Sequence, residues 1–297
     1  MALRINPDPT INLLAALERT RRQEDRAVAQ LASGRRVNTL SDDTPAAVAA
    51  LRNRIQVGET DQFLRNVSSL RGLVETTENA LNEVVLALTQ AITLGVQGGN
   101  GTLSPENRLS IADEVRGIER QVLSLANLSF QGNYVFAGTE VKTPPFTSDA
   151  ASPSGVRYDG NSSVNQAEIA PGQTVTPQLA GDRVFAKPGT DVFLALKNLA
   201  SALETGEGVD TATVALRRAF DHVTAQRAFF GNALSTLETT ESFLHREKVV
   251  LLQRENDLIG ADLPQTATDL VQANQAREAV LAAGGRISQL NLIDYLR

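Results

Sequence analysis

The chain has 297 residues, no cysteine, no tryptophan, two histidines and a formal net charge of −6. A disulfide framework, a thiolate nucleophile and a cysteine-ligated zinc site are therefore excluded. His222 and His245 show no spacing that suggests a metal site, so an enzyme would have to work with carboxylates, hydroxyls and arginines.

Charge signs are mixed throughout: residues 1–62 carry nine basic and eight acidic side chains. No block forms the basic footprint that nucleic-acid binding requires. Arg19, Arg21, Arg22 and Arg26 interleave with Glu18, Glu24 and Asp25, which reads as a solvated helix face. No run of about 20 apolar residues suggests a membrane span, and the apolar stretch Ile11–Leu17 is too short and lacks a cleavage site. The expectation is a cytoplasmic protein, or one that leaves the cell by a route that reads no hydrophobic signal peptide.

In chain order, a first helix is expected from about Pro9 to Ser33, with Leu14, Leu17, Arg21, Glu24, Val28 and Leu31 on alternating three- and four-residue steps. That is a coiled-coil seam with a polar middle. Gly34 suits a left-handed residue just past the helix end. The loop Arg35–Asp43 leads to Thr44–Pro45, read as a cap and a first-turn proline, with Asp42 and Asp43 favouring the helix dipole. Paired carboxylates for acid–base chemistry are the weaker reading.

A long helix follows to the Gly98–Gly101 cluster, with Val67, Leu70, Val74, Thr77, Leu81, Val84, Leu88 and Ala91 as its stripe. At about 1.5 Å per residue it forms a rod of roughly 75–80 Å, so an elongated molecule is expected. Ser104–Pro105 starts a third helix that closes near Gly132. Prolines and turn residues then replace helical periodicity up to Pro188, which reads as short strands in a small β insertion. Asp191 caps a short helix through Leu203, and a second long helix runs from about Asp210 to Leu258, with Leu237, Leu244, Leu251 and Leu258 at sevens. After Gly260 and Pro264 comes a last helix with Leu270, Leu281, Ile287 and Leu290.

The expected fold is mainly α: an elongated helical hairpin or coiled-coil rod with paired N- and C-terminal helices and a small β-rich insertion domain. Its expected divisions are a terminal coiled-coil domain (1–44 plus 259–297), a long-helix rod (45–140 plus 189–258) and an insertion (141–188). Ten of the thirteen aromatics lie between Phe130 and Phe230. Both ends therefore have thin aliphatic seams that need each other, and neighbouring copies, to be buried. Leu14, Leu17, Val28, Leu31, Leu270, Leu281, Ile287 and Leu290 are the expected assembly interface. No constellation offers a catalytic, cofactor or metal site: the glycine cluster at Gly98–Gly101 lacks a P-loop ending, and no nucleophile elbow occurs. His222 and His245 read as helix-surface or seam residues. Phe229–Phe230 reads as packing under the insertion, with a partner anchor as the alternative.

Two motifs carry a resemblance. Leu31–Asn38 reads LASGRRVN, with Ser33, Gly34, Arg35, Val37 and Asn38, and is followed by Asp42–Asp43. It resembles the N-terminal signature of the bacterial flagellin family, and Ala283–Arg297 is similar to that family's C-terminal end. Gly132, Asn133, Tyr134, Val135, Phe136, Ala137, Gly138 and Thr139 are similar to a segment of the family's hook–filament junction members, as is the ending Leu290–Leu296. The resemblance implies a non-enzymatic structural subunit of the flagellum with no cofactor. Implied with it are a junction ring that passes torque and export through the flagellar type III apparatus without a cleaved signal peptide. The implied partners are further copies of the chain, the first hook-associated protein, flagellin and an export chaperone. A filament-forming flagellin is the alternative, and a signalling or scaffolding coiled coil is a more distant one.

Overall fold

The computed structural model describes the backbone of residues 9–295 and the side chains of residues 11–286. Seven helices and six short strands follow in the order α1 (Pro9–Ser33), α2 (Thr44–Gly98), α3 (Pro105–Ala126), β1 (Ser129–Phe130), β2 (Asn133–Tyr134), β3 (Phe146–Ser148), β4 (Val156–Tyr158), β5 (Ala167–Ala170), β6 (Gln173–Val175), α4 (Gly181–Val184), α5 (Val192–Thr205), α6 (Val209–Ile259) and α7 (Leu263–Tyr295). The fold is mainly α. Its strands form three two-stranded antiparallel ribbons, β1–β2, β3–β4 and β5–β6.

Contacts group the chain into two compact units, residues 1–59 with 247–297 and residues 60–246, with the boundaries inside α2 and α6. In the second unit the expected stripe of α2 is buried at Val67, Val74, Thr77, Leu81, Val84, Leu88 and Ala91. Ile111, Val115, Ile118 and Val122 of α3 join it, with Leu196, Leu199 and Leu203 of α5. On α6 the heptad begins earlier than expected: Leu216, Val223, Phe230, Leu237 and Leu244 are all fully buried at intervals of seven. Constant seven-residue spacing keeps one edge of a helix against its neighbours, which is why this row has no exposed member. Phe230 is therefore core, and Phe229 lies edge-on to it with ring centroids 5.4 Å apart.

Segment 141–188 shares the core of the second unit. Phe146, Val156, Ile169, Val175, Leu179, Val184 and Phe185 are buried in the same cluster as the helices. Phe146 packs against Phe185 at 5.7 Å, Phe193 at 5.2 Å and Tyr158 at 5.1 Å, and Phe136 meets Phe185 edge-on at 5.1 Å. The two Phe185 contacts are edge-to-face, which aligns the ring quadrupoles favourably, and the other two are tilted; together they bury large apolar area. The turn of α4, inside the segment expected to hold only strands, brings Phe185 into this cluster.

Three local expectations are corrected. Asp43, not Thr44, caps α2: its Oδ1 accepts from the Ala46 amide at 3.1 Å, whereas the Thr44 hydroxyl donates back to the Leu40 carbonyl. Helix α2 already includes Thr44, so the capping position falls one residue earlier, on a carboxylate that also suits the helix dipole. Helix α3 stops at Ala126, short of Gly132, because Asn127 turns its amide to Phe146, exchanging bonds of 2.8 and 2.9 Å with the backbone there. The expected seam of α1 is rotated. Thr20 and Ala27 are buried, with Leu13, Leu17, Glu24 and Leu31 half-buried in the same four-three series, while Arg21 faces solvent.

By length and composition α2 is apolar enough to cross a membrane, with mean hydropathy 1.2 over 18 residues and 44% of that window buried. Its buried residues recur at helical spacing inside the core, as in a core helix of a folded domain.

Candidate functional site

The residues that carry the N-terminal motif fold into one clasp between the α1–α2 loop and the α6–α7 joint. Gly34 ends α1 with φ +67° and donates from its amide to the Gln30 carbonyl. A left-handed residue here costs an L side chain roughly 1–2 kcal/mol, which glycine avoids. Ser33 supports the turn: its hydroxyl donates to the Ala29 carbonyl at 2.8 Å and accepts from the Arg35 amide at 3.1 Å. The chain then runs antiparallel to residues 259–261. The Arg36 amide donates to Ile259 O at 2.7 Å, the Ala261 amide donates to Gly34 O at 3.0 Å, and Arg35 bridges Gly260.

Side chains reinforce that short ladder. Arg36 reaches the Leu258 carbonyl and Asp43, each at 3.0 Å. Glu255 sits 2.7 Å from Arg54 and 3.9 Å from Arg35. Val37 is buried in a small cluster with Ala50 and Ile259. Asn38 donates to the Arg35 carbonyl, and Asp42 Oδ2 accepts from the Asn38 and Thr39 amides at 3.0 and 2.8 Å. Those two amides hold the Asp42 carboxyl below its usual pKa; the Ala46 amide and the Arg36 guanidinium do the same for Asp43. Both carboxylates are thus acceptors fixed in the ionised state, the opposite of a proton-transfer pair. A cavity of about 340 Å³ elsewhere is lined in part by Arg116, Glu119, Arg120 and Lys197. Burial pushes Glu119 upward there, with Lys197 opposing. Among the described residues no group of histidine and carboxylate side chains could hold a metal ion.

Helices α1 and α7 run antiparallel. Glu24 pairs with Arg277, and Gly284 lies against Leu13, where an added Cβ would come 2.8 Å from the leucine side chain. Of the expected interface, Leu17, Leu31 and Leu270 are half-buried in this pair, whereas Leu14, Val28 and Leu281 are 59%, 49% and 55% exposed. Ile287 and Leu290 lie outside the described side chains. Thirteen of the eighteen exposed large apolar side chains among the described residues belong to the first unit. On α2 they form the stripe Val48, Leu51 and Ile55, open to solvent on one helix face. The expectation missed Thr20, Ala27, Thr266 and Ala273, because small side chains give no apolar signal although they let helices approach closely, and it took Leu14 in place of the half-buried Leu13. It also missed Asn53, whose Nδ2 donates to the Leu251 carbonyl at 2.8 Å from a buried position.

The second motif frames the core of residues 60–246. Gln131 and Gly132 have φ of 51° and 77°, so the β1–β2 connection is a two-residue turn of the hairpin-compatible hand. Asn133 and Tyr134 form β2, and Phe136 is fully buried. Gly138 has φ +68°, and a Cβ there would lie 2.1 Å from the Asn161 carbonyl oxygen. The Tyr158 hydroxyl donates to the carbonyls of Phe136 and Asn161, and burial pushes its pKa to about 12, so it stays a donor. His222 Nε2 lies 2.7 Å from the Arg183 carbonyl on the surface of α6, and His245 is exposed.

Residues 8–141 match the bacterial flagellin N-terminal helical region. Flagellar hook-associated protein 3 of Escherichia coli is 25% identical over 289 residues, covering 89% of this chain and 90% of its own. The same protein of Salmonella typhimurium is 27% identical, over 84% of this chain and 86% of its own. Flagellin of Bacillus subtilis is 25% identical over 99% of this chain and 100% of its own. The solved structure of a flagellar hook-associated protein from Vibrio parahaemolyticus shares the fold, with TM-score 0.69 and 20% identity over 74% of this chain and all of that one. The matched region contains both motifs, Ser33–Asp43 and Gly132–Thr139, and over residues 8–141 the chain is similar to the N-terminal helical region of bacterial flagellins.

Proposed function

We propose that this protein is a structural, non-enzymatic subunit of the bacterial flagellum that acts at the junction between hook and filament. The observation that carries the reading is the pair of matches to hook-associated protein 3, over 89% and 84% of this chain and 90% and 86% of those proteins. The first unit supplies the assembly surface. It buries few large apolar side chains within one chain and leaves thirteen exposed, the pattern of a surface completed by neighbours. Leu14, Val28 and Leu281 would face adjacent subunits, and Leu17, Leu31 and Leu270 would hold α1 on α7, with Ile287 and Leu290 extending the interface. Further copies of the chain, the first hook-associated protein and flagellin would be its neighbours, and a flagellar chaperone would escort it through the type III apparatus to the cell exterior. The expected three-part division into inner, rod and outer domains belongs to the same proposal.

Mechanically, a ring of such subunits would join two axial structures and pass torque through packed helices rather than flexible loops. The clasp at residues 33–43 and 258–261 would keep the α1 and α7 arms aligned under load. The test is deletion of the encoding gene in the parent bacterium with electron microscopy: hooks without filaments, restored by this chain, support the junction role. Normal filaments after deletion would overturn it. The full-length match to Bacillus subtilis flagellin favours a second reading, a filament subunit. Purified chain added to filament seeds separates the two, because a filament subunit grows long fibres and a junction subunit leaves short caps.

A further inference from the structure

Asn100 is the only asparagine of the chain that is followed by glycine. With Gly101 and Thr102 it stands in the exposed turn between α2 and α3. Its carboxamide is held by one end: Oδ1 accepts from the Thr102 hydroxyl at 3.0 Å and from the Thr102 amide at 3.3 Å. Its Nδ2 donates to none of the described residues, and neither does the Gly101 amide. A Cβ built on Gly101 would meet nothing within 4 Å, so the space beside that amide is open. Other asparagines are fixed where this one is free. Asn127 and Asn161 engage both ends of the carboxamide. The amides that follow Asn38 and Asn133 donate to Asp42 and to the Val141 carbonyl.

We propose that Asn100–Gly101 is a self-modification site: the Gly101 amide nitrogen attacks the Asn100 side chain, and water completes its conversion to aspartate and isoaspartate. The nitrogen gives up its proton and forms a bond to Cγ. The Cγ–Nδ2 bond then breaks, and ammonia leaves with that proton. Water opens the resulting succinimide at either carbonyl, so the sum is asparagine plus water to acid plus ammonia. Attack within one chain needs no encounter between reactants, which favours it over direct hydrolysis. Glycine presents its nitrogen with no side chain in the way, and the two Thr102 donors stabilise the negative charge that builds on Oδ1. The product alters the turn. The Asn100 amide donates to the Gln97 carbonyl, and the Asn100 carbonyl accepts from the Leu103 amide. Isoaspartate adds a methylene to the backbone between these two bonds and breaks their geometry. Next to it Gly98 is packed so closely that a Cβ would collide with Leu203, which leaves no slack for the longer backbone on that side. The inference does not depend on the flagellar role.

The test is ageing of the full-length chain at mildly alkaline pH for several weeks, followed by peptide mass mapping with isoaspartate resolved from aspartate. Residue 100 should convert at least about tenfold faster than any other asparagine, or ~1.4 kcal/mol in barrier, to a mixture of both acids. Conversion no faster than at the other asparagines overturns the proposal. So does aspartate without isoaspartate, the mark of direct hydrolysis. Gly101→Ala is the control, because Gly101 has no left-handed φ and the new Cβ meets open space. It should keep the native helicity by circular dichroism and slow conversion about tenfold; an unchanged rate overturns attack by the Gly101 nitrogen. Thr102→Val removes the hydroxyl and should slow conversion about threefold, less than in an enclosed oxyanion hole because water screens the exposed turn. An equal or faster rate overturns the role given to Thr102. Hydrogen exchange in residues 97–104 should rise about tenfold in aged protein but not in equally aged Gly101→Ala. Loosening in both, or in neither, overturns the effect on the turn.

Discussion

Three glycines of the two motifs, Gly34, Gly132 and Gly138, share a left-handed backbone with φ of 67°, 77° and 68°, yet their surroundings differ enough to rank their substitution by alanine. At Gly34 and Gly132 a new Cβ would meet nothing within 4 Å. The cost there is conformational alone, roughly 1–2 kcal/mol for an L residue in that region. At Gly138 the same Cβ would sit 2.1 Å from the Asn161 carbonyl oxygen, 2.4 Å from its Oδ1 and 2.9 Å from the Ser163 carbonyl. Backbone oxygens cannot rotate away, so the loop that Tyr158 and Asn161 hold in place must move, and core displacement adds about 1–3 kcal/mol to the strain. Gly138→Ala is thus expected to cost at least about twice as much as Gly132→Ala. The two belong to the same unit, so urea unfolding followed by near-ultraviolet absorption of the Phe136–Phe185 cluster compares them directly. Gly34→Ala is read separately, by hydrogen exchange in α1. Equal destabilisation by Gly132→Ala and Gly138→Ala, or a neutral Gly138→Ala, would refute the steric argument.

Ile259→Ala should open the Val37–Ala50–Ile259 cluster at a cost of about 2 kcal/mol and speed exchange of the Arg36 and Ala261 amides, leaving the unfolding of residues 60–246 unchanged. Leu281→Glu, on an exposed position, should leave α7 helical by circular dichroism but abolish incorporation into flagella; normal motility would count against the assembly surface. The carboxyls of Asp42 and Asp43 have folded pKa values below their unfolded ones, so their stabilisation is present above the ordinary carboxylate range and is lost as pH falls through the folded values. Protection of the Asn38 and Thr39 amides should therefore decline on acidification, and Asp42→Asn should abolish that dependence. Asp191 has the opposite sign. Burial raises it despite its bond to the Leu194 amide, so its contribution is present at low pH and is lost as pH rises through the raised value. The start of α5 should accordingly hold in acid where the 35–46 loop loosens, and simultaneous loosening of both would contradict the assignment.

The helices were legible because their stripes and punctuation agree. Pro9, Ser33–Gly34, Gly98 and Ser104–Pro105 mark ends that fall within a residue or so of the expected ones. The long heptads could be read because Leu, Val and Phe at sevens leave a pattern no strand would show. The Asp43 cap slipped by one residue because Asp and Thr are both good caps, and only the hydrogen bond decides between them.

By itself, the sequence determined that this is a chain of long amphipathic helices, with no thiol chemistry, an aromatic middle and aliphatic ends. Those are one-dimensional properties: composition, period and breakers. Tertiary structure decided which edge of α1 faces α7, because a seam of Thr20, Ala27 and Ala273 is chosen by close approach and a single ion pair rather than by hydrophobicity. It decided that segment 141–188 shares the core of the helices, since Phe146, Phe185 and Phe193 meet only in space. The conspicuous loop motif became a clasp in the same way, because the partners of Arg35, Arg36 and Val37 at Glu255, Leu258 and Ile259 lie more than 200 residues away, and no local pattern carries that distance.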